Sequence, residues 1–534
     1  MKVGHNRAQV YLFLILSLGT GLRLYKLGSN SFWGDEAAFI FYKRGGLFDS
    51  LEFMRRHLLN KSWFDIKSYG YYLFTTFWSS FARGDFMLRL SSVIFGALSI
   101  ILIYKVGKLF FDKKTGLIAA FILAVSPFHI YYSQEFRMYA LMSLLTLASA
   151  YSLGRFMQSG KYKFLFGYLV SHVLNIYTHL ITILVLFAQS IFFIFCRKKY
   201  RMIFKRWIII NLGIVFLIAP AILMVMLATT QSIYNRGNIE KVFSLAVSPF
   251  GEFGFIKLIP IYTLKNFCAG YNAPPLIGIF TSLLFIGLFI FALVRTKNRE
   301  SLDFCLCCLC IPVLVMYLGQ RFIYADRYLI PSSVFLYLVV SSGIANLKKP
   351  LTAVTLILIS MFMIFSLNNY YKDYLPSRQE QRIAVHEKKA NREAAAYVIN
   401  NFREGDIVFH THNHTTLPFE YYFNYYFKRN NGMAPAFNKE KIALTLEFVE
   451  EDEDPIAFET WSEFDSMLSR TTVPVAGHSR VWLVFSSREF KEACMPGSEE
   501  RRKMEWMERR YIEKDVKHFK GINLYLFEKP KIIN

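Results

Sequence analysis

Acidic side chains are scarce through most of this chain. Residues 1–369 hold 13 Asp and Glu against 37 Lys and Arg, while residues 370–534 hold 26 against 25. The whole net charge of +23 therefore sits in the first part. Charge of either sign is thin, at 19% of residues, where soluble domains carry about a quarter. That argues against a string of soluble domains. Glycine and proline, at 29 and 16 in 534 residues, are too few for a collagen-like or low-complexity chain. There is no internal repeat. Seven cysteines form no framework. Four of them, Cys305, Cys307, Cys308 and Cys310, lie inside one apolar run, where a metal cluster would need four thiolates in lipid. Small packing residues fit that place better.

What is present is apolar: 54% of residues are hydrophobic and 17% aromatic. Apolar runs cover residues 10–22, 86–104, 117–131, 138–153, 164–177, 180–195, 207–227, 276–294, 304–318, 328–344 and 351–367. About 20 apolar residues cross a bilayer as a helix, so the runs predict about eleven spans. Basic residues punctuate them, which is the pattern of cytoplasmic loops and not of a nucleic-acid surface. The first run follows Lys2 and Arg7, and no small-residue cleavage site comes after it, so it reads as an uncleaved span with a cytoplasmic N-terminus. If 30–85 lies outside, the inner loops are 105–114, 155–163, 197–206, 295–299 and 348–349, and each is basic. The apolar stretch 69–81 would invert that order as a span, so it reads as a helix lying on the outer surface.

The chain therefore divides into a transmembrane part, 1–369, with an outer loop at 23–86, and an extracytoplasmic tail, 370–534. The tail reads as a small α/β domain. It has an amphipathic helix over 378–402, strands over 406–409, 481–485 and 524–527, and a solvated acidic loop at 450–454. The expected fold is an α-helical polytopic membrane protein with a small C-terminal α/β domain.

Charge in or beside a membrane is a functional hypothesis by default. Asp112, Glu300 and Asp303 fall in inner loops. Three places remain. Ser31-Phe32-Trp33-Gly34-Asp35-Glu36 puts two adjacent carboxylates behind an interfacial tryptophan. Neighbouring side chains diverge on a helix, so one of the two can face a site. They serve either as caps of a helix N-terminus or as a general base for a hydroxyl. Tyr131-Tyr132-Ser133-Gln134-Glu135-Phe136-Arg137-Met138-Tyr139 holds an isolated acid and base in roughly 40 residues of apolar chain. They form a local ion pair, or a supporting carboxylate beside an arginine that grips a phosphate. The third place is external positive charge: Lys43, Arg44, Arg55, Arg56, Lys61 and Lys67 in the first outer loop, and Arg321 and Arg327 around Asp326. An anionic ligand at the outer face explains both clusters. Lipid headgroups and Arg–Asp pairing each explain part. Trp33, Tyr132, Tyr139 and His179 are read as lining the substrate. His179 serves equally well as a packing histidine. His410-Thr411-His412-Asn413-His414 follows a strand. A polar loop is the plainer reading there, with a zinc site the sharper one.

Together the first loop, the Tyr-Ser-Gln-Glu-x-Arg-Met-Tyr stretch and Asp326-Arg327-Tyr328-Leu329-Ile330-Pro331 resemble bacterial glycosyltransferases of the C superfamily. More narrowly they resemble family 39, the relatives of protein O-mannosyltransferases and of the lipid A aminoarabinose transferase. The likeness runs over roughly residues 10–345. It implies a polyprenyl-phosphate-linked sugar donor in the outer leaflet and a first outer loop with juxtamembrane helices. It makes Asp35 the base, with Glu36 beside it, and Glu135 the second acid. Arg137, Lys67 and Arg327 become the donor-phosphate contacts. Many relatives carry His-Pro-Pro where this chain has Lys67-Ser68-Tyr69-Gly70, so Lys67 is the weaker transfer.

The implied reaction is inverting transfer to a hydroxyl of a lipid, glycan or protein. It places the protein in a bacterial inner membrane with the tail in the periplasm, without nucleic acid. Some superfamily members use a divalent metal, which Asp35 or Glu135 could hold here, and the family 39 likeness argues mildly against one. A lipid-linked polysaccharide polymerase fits the Asp-Glu loop less well. A lipid or sugar transporter should carry its charges at mid-membrane. The tail's place outside predicts a role in gating or in acceptor choice.

Overall fold

The structure is a computed structural model of the 534-residue chain. It describes residues 2–41, 68–235, 253–318, 325–375, 388–403, 405–410, 413–429, 444–447, 456–459, 472–474, 479–486, 495 and 499–530. Two compact units emerge. The first takes residues 1–27, 65–74 and 86–386, and the second takes 28–64, 75–85 and 387–534.

In chain order the helices up to residue 371 are α1 (Lys2–Leu24), α2 (Gly34–Phe41), α3 (Tyr69–Trp78), α4 (Gly84–Phe110), α5 (Lys113–Val125), α6 (Pro127–Ser133), α7 (Tyr139–Ser159), α8 (Tyr162–Thr178), α9 (Ile183–Phe195), α10 (Arg201–Asn235), α11 (Phe253–Ala269), α12 (Pro275–Arg295), α13 (Arg299–Leu318), α14 (Ile330–Ala345) and α15 (Lys349–Tyr371). Of these α2 lies in the second unit, and the unit boundary falls within α3 and at the first turn of α4. Every apolar run read from the sequence falls on these helices to within three residues. Among the described residues seven helical segments are long and apolar enough to cross a membrane: α4, α7, α10, α12, α13, α15 and Asp326–Ala345. The pair α5 and α6, bent by 61°, makes an eighth if counted as one span. The remaining runs lie in α1, α8 and α9. Helix α11 is an addition: Lys257, Pro260 and Lys265 interrupt its apolar pattern.

Sequence explains the bend. Pro127 has no N–H and its ring excludes the preceding turn's carbonyl. Ser126 restarts the helix by accepting from the His129 N–H at 3.3 Å. The break leaves the last carbonyls of α5 without helical donors. Arg23 at the end of α1, fully buried, supplies them. Its guanidinium donates to Ala124 O at 2.9 Å, Leu123 O at 3.0 Å, Gly19 O at 2.9 Å and Ser133 Oγ at 3.1 Å. The negative end of the α5 dipole favours that cation. Gly96 on α4 makes room, since a Cβ there would stand 2.5 Å from Ser133 Oγ and 2.8 Å from Arg23 Nε.

Helix α14 is the hub of the first unit. Every residue from Ile330 to Ile344 is buried, as expected of a helix apolar on all sides. It packs against α5, α7, α12 and α13. By contrast α10, α12 and α15 expose large apolar side chains such as Phe216, Val294 and Ile357. In water this would be an aggregation surface. In a bilayer it is the required face, and the protein is a multi-pass membrane protein.

Beyond α2 the second unit contains α16 (Asn391–Asn401), β1 (Ile407–His410), α17 (Asn413–Arg429), β2 (Leu444–Glu447), β3 (Ile456–Glu459), β4 (Thr472–Pro474), β5 (Arg480–Ser486), α18 (Glu499–Arg510), β6 (Ile512–Phe519) and β7 (Ile522–Glu528). The strands form one sheet in the order β4-β3-β2-β1-β5-β7-β6. Strand β1 pairs parallel with β2 and β5, and the other pairs are antiparallel. Strands β1, β5 and β7 are buried almost throughout, while β6 is an exposed edge with an irregularity at Glu513/Asp515. Met504, Trp506 and Met507 of α18 join Ile407, Phe409, Leu483 and Phe527 in the core.

Two local expectations shift. The helix expected over 378–402 is α16, at Asn391–Asn401, and 376–387 lie outside the described residues. The loop expected from His410 to His414 is the join between β1 and α17. Helix α17 forms because Phe419, Tyr422 and Phe423 recur at helical spacing and are all buried. His410 is buried, its Nδ1 3.0 Å from Thr415 Oγ1 and its ring edge-on to Phe419. His412 lies outside the described residues.

Candidate active site

The first unit gathers the candidate residues that follow the α5–α6 bend. Residues 134–138 form a buried turn between α6 and α7, closed by the Arg137 N–H donating to Glu135 O at 2.8 Å. Gln134 locks the turn in place. Its Nε2 donates to Arg23 O at 2.8 Å and Tyr25 O at 2.7 Å, and its Oε1 accepts from the Tyr370 hydroxyl at 2.7 Å. Glu135 is buried and is hydrogen-bonded to the Tyr131 side chain. Arg137 is buried as well, its guanidinium carbon 5.8 Å from the Tyr139 ring centroid.

Tyr132 is the hinge of this neighbourhood. Its hydroxyl is 2.6 Å from that of Tyr271, and its ring meets Tyr139 at 4.8 Å. The same hydroxyl interacts electrostatically with both Glu135 and Arg327. The structure thus brings Glu135, Arg327, Tyr132 and Tyr139 into one cluster. Arg327 lies half-buried, 5.5 Å from the Tyr328 ring centroid, and Tyr328 stacks against His179 at 4.8 Å. His179 has a structural duty too: its Nδ1 accepts from the Ile181 N–H at 3.3 Å at the start of a 3-10 turn. Asp326, beside Arg327, is buried and accepts from Thr263 Oγ1 at 3.0 Å and Asn266 Nδ2 at 2.5 Å. Both donors come from α11. The arrangement is a largely enclosed set of two carboxylates, two guanidiniums and several phenols, suited to a phosphorylated ligand.

The second unit holds the other acids. Trp33 precedes α2, and its N–H points to Glu36 Oε2 at 3.5 Å, a long capping contact at N3. Glu36 is buried and Asp35 half-buried in the same first turn. The two acids separate as neighbouring helical residues must: Glu36 serves the helix end and Asp35 is the more accessible. Lys43, Arg44, Arg55, Arg56, Lys61, Lys67 and Arg321 lie outside the described residues. Among the described residues no group of three or more His, Cys, Asp or Glu is placed to hold a metal.

Sequence reasoning missed Arg23, Gln134, Tyr131, Tyr271 and Tyr370 around the first cluster. The signal for Arg23 was present, a charge within an otherwise apolar helix. Gln134 sat inside a stretch already singled out.

Residues 69–225 match the family model for dolichyl-phosphate-mannose-protein mannosyltransferase. The fold is similar to that of ArnT from Cupriavidus metallidurans in its apo state, at a TM-score of 0.58 and 9% identity over 97% of this chain and 98% of that one. The chain shares the ArnT fold over nearly its whole length. A second structure of that ArnT, bound to undecaprenyl phosphate, matches at a TM-score of 0.56 and 10% identity over 97% and 98% of the two chains. The oligosaccharyltransferase of Archaeoglobus fulgidus also matches, at 0.47 and 12% identity, over 77% of this chain. This chain covers 61% of that archaeal chain. No curated protein matches it in sequence. The matched segment carries the whole Tyr131–Tyr139 stretch and His179. Asp35 precedes it, and Asp326 and Arg327 follow it.

Proposed function

We propose that the protein transfers a sugar from a polyprenyl-phosphate-linked donor to a hydroxyl of a lipid, glycan or protein, with inversion, at the outer face of a bacterial inner membrane. The observation that carries the reading is the cluster of buried Glu135 and Arg137 with half-buried Arg327 and several tyrosines, in a membrane fold whose residues 69–225 match a mannosyltransferase family model. ArnT, which shares the fold, has been solved with undecaprenyl phosphate bound. In this reading the N-terminus is cytoplasmic and residues 370–534 are periplasmic.

The chemistry assigns one role to each group. Asp35 takes the acceptor's hydroxyl proton as the oxygen attacks the anomeric carbon. The bond from that carbon to the phosphate oxygen breaks on the opposite face, and its electron pair leaves with the phosphate. A phosphate monoester anion is a weak base, so no general acid is required. Arg137, Arg327 and Lys67 stabilise its charge as it develops. Glu135 orients the tyrosines around the donor, and Trp33, Tyr139 and His179 line the sugar.

The test is sugar transfer from radiolabelled polyprenyl-phosphate hexoses and pentoses in membranes, with protein level matched. Loss of a general base lowers rate by about 10²–10⁴, so transfer should collapse by that factor in Asp35→Asn. Equal rates would remove Asp35 from the mechanism. A wild type that transfers from no such donor would overturn the reading and favour a polymerase or a transporter.

A further inference from the structure

The stretch that leads into α2 is held almost entirely by residues more than 300 positions away. Five of its polar groups are engaged. The Gly28 and Ser29 carbonyls accept from the Arg392 guanidinium at 3.0 and 2.7 Å. Ser31 Oγ accepts from the Arg392 N–H at 3.1 Å and donates to Glu393 Oε2 at 3.2 Å. The Phe32 N–H donates to the Tyr422 hydroxyl at 2.7 Å, and its carbonyl accepts from Asn391 Nδ2 at 3.0 Å. Ala390, which precedes α16, offers that helix no side-chain cap. Ser31 does the capping from another part of the chain.

One carboxylate joins these anchors. Asp85 Oδ2 accepts from the Tyr422 hydroxyl at 2.7 Å and from Arg392 Nη1 at 3.0 Å. Tyr422 and Asp85 are both buried, and Phe32 is wholly enclosed with its ring against Tyr421 and Tyr422. Only Trp33 and Gly34 separate Phe32 from Asp35. Helix α2 itself packs on α17.

We infer that the Asp85–Tyr422–Arg392 node is a positioning device for Asp35, so that the C-terminal domain seats the general base. This rests on the reading of Asp35 as base. None of the three residues touches the reacting atoms. Tyr422 both donates and accepts, so its hydroxyl bridges the Phe32 backbone to Asp85. Its removal frees the leading stretch by a fraction of an ångström to about 1 Å, and a misplacement of that order costs up to about 10² in rate.

The experiment is a double-mutant cycle on the full-length protein in membranes. It measures kcat and donor KM for wild type, Asp35→Asn, Tyr422→Phe and the double variant. Tyr422→Phe should lower kcat about 10- to 100-fold and leave donor KM within about threefold. The double variant should be no slower than Asp35→Asn alone, because a residue that acts through Asp35 has nothing left to position. A generally weakened fold would multiply the two losses instead, and that result would overturn the inference. Wild-type kcat in Tyr422→Phe beside a collapsed Asp35→Asn would also overturn it, while leaving the proposed function standing. Full transfer by Asp35→Asn would remove the base and the seat together. If Tyr422→Phe does not accumulate, Asp85→Asn enters the same cycle. It keeps an oxygen for Tyr422 and removes the charge facing Arg392.

Discussion

Arg23 and Arg480 are both largely enclosed, and the two units stabilise them by opposite means. Arg23 donates to three backbone carbonyls and one hydroxyl, all of them neutral. Arg480 sits between two carboxylates, Asp406 at 2.8 Å and Glu528 at 2.7 Å, and also donates to Asn401 O. Asp406 in turn accepts from Trp482 Nε1 at 2.9 Å. Burying a second full charge is costly where no water can reach it. At a helix break in the membrane unit the partial charges of orphan carbonyls do the same work without a counter-ion. In the sheet unit, close to solvent, a full ion pair is the cheaper partner.

The comparison breaks most visibly at Arg23. Arg23→Met leaves the α5 carbonyls buried without donors, at a cost of about 3–5 kcal/mol. We expect a large drop in the melting temperature of the detergent-purified protein. An unchanged melt would mean that the bend needs no cap. Asp406→Asn sharpens the contrast from the other side. It preserves shape and a Trp482 acceptor but removes the charge, and should cost about 2–3 kcal/mol. Thermal unfolding within error of wild type would show that a neutral partner suffices in the sheet unit as well.

The smallest effect concerns His410, the buried titratable group of the tail. Burial lowers its pKa from the usual 6.5 to about 3. The native state therefore holds it neutral, and the unfolded chain binds a proton first as pH falls. Stability is complete above about 6.5 and is lost progressively as pH falls towards about 3. Between pH 7 and 5 the loss should reach about 1–2 kcal/mol. His410→Gln should flatten that slope in melts taken across this range. A variant as acid-sensitive as wild type would assign the slope elsewhere.

Much of the membrane unit was legible because apolar runs of the right length have few alternatives. Helix α11 escaped because Lys257, Pro260 and Lys265 mask its pattern, yet it supplies Thr263 and Asn266 to Asp326. The Glu135–Arg137 stretch stood out as charge in an apolar background. Its partners Gln134, Tyr271 and Tyr370 did not, since their importance lies in hydrogen bonds between helices far apart in sequence. The Asp35-Glu36 pair was readable as two acids of which one can face a given site, and the Trp33 N–H lies 3.5 Å from Glu36 Oε2. Nothing local in Asp85, Arg392 or Tyr422 marks them, because their meaning is one three-way contact. The tail's strands β1, β5 and β7 were visible as apolar runs. Its short strands β2 to β4 were not.

Ser31 caps a helix that begins 361 residues later in synthesis, counted to Arg392. At roughly 5–20 residues per second a ribosome takes about 20–70 s to cover that distance. Throughout that time the first loop stands in the membrane without the groups that hold it. A chain stalled or cleaved anywhere before residue 391 would display Asp35 on an unanchored segment. The segment before Asp35 thus gains these hydrogen-bond partners only once the tail has been made.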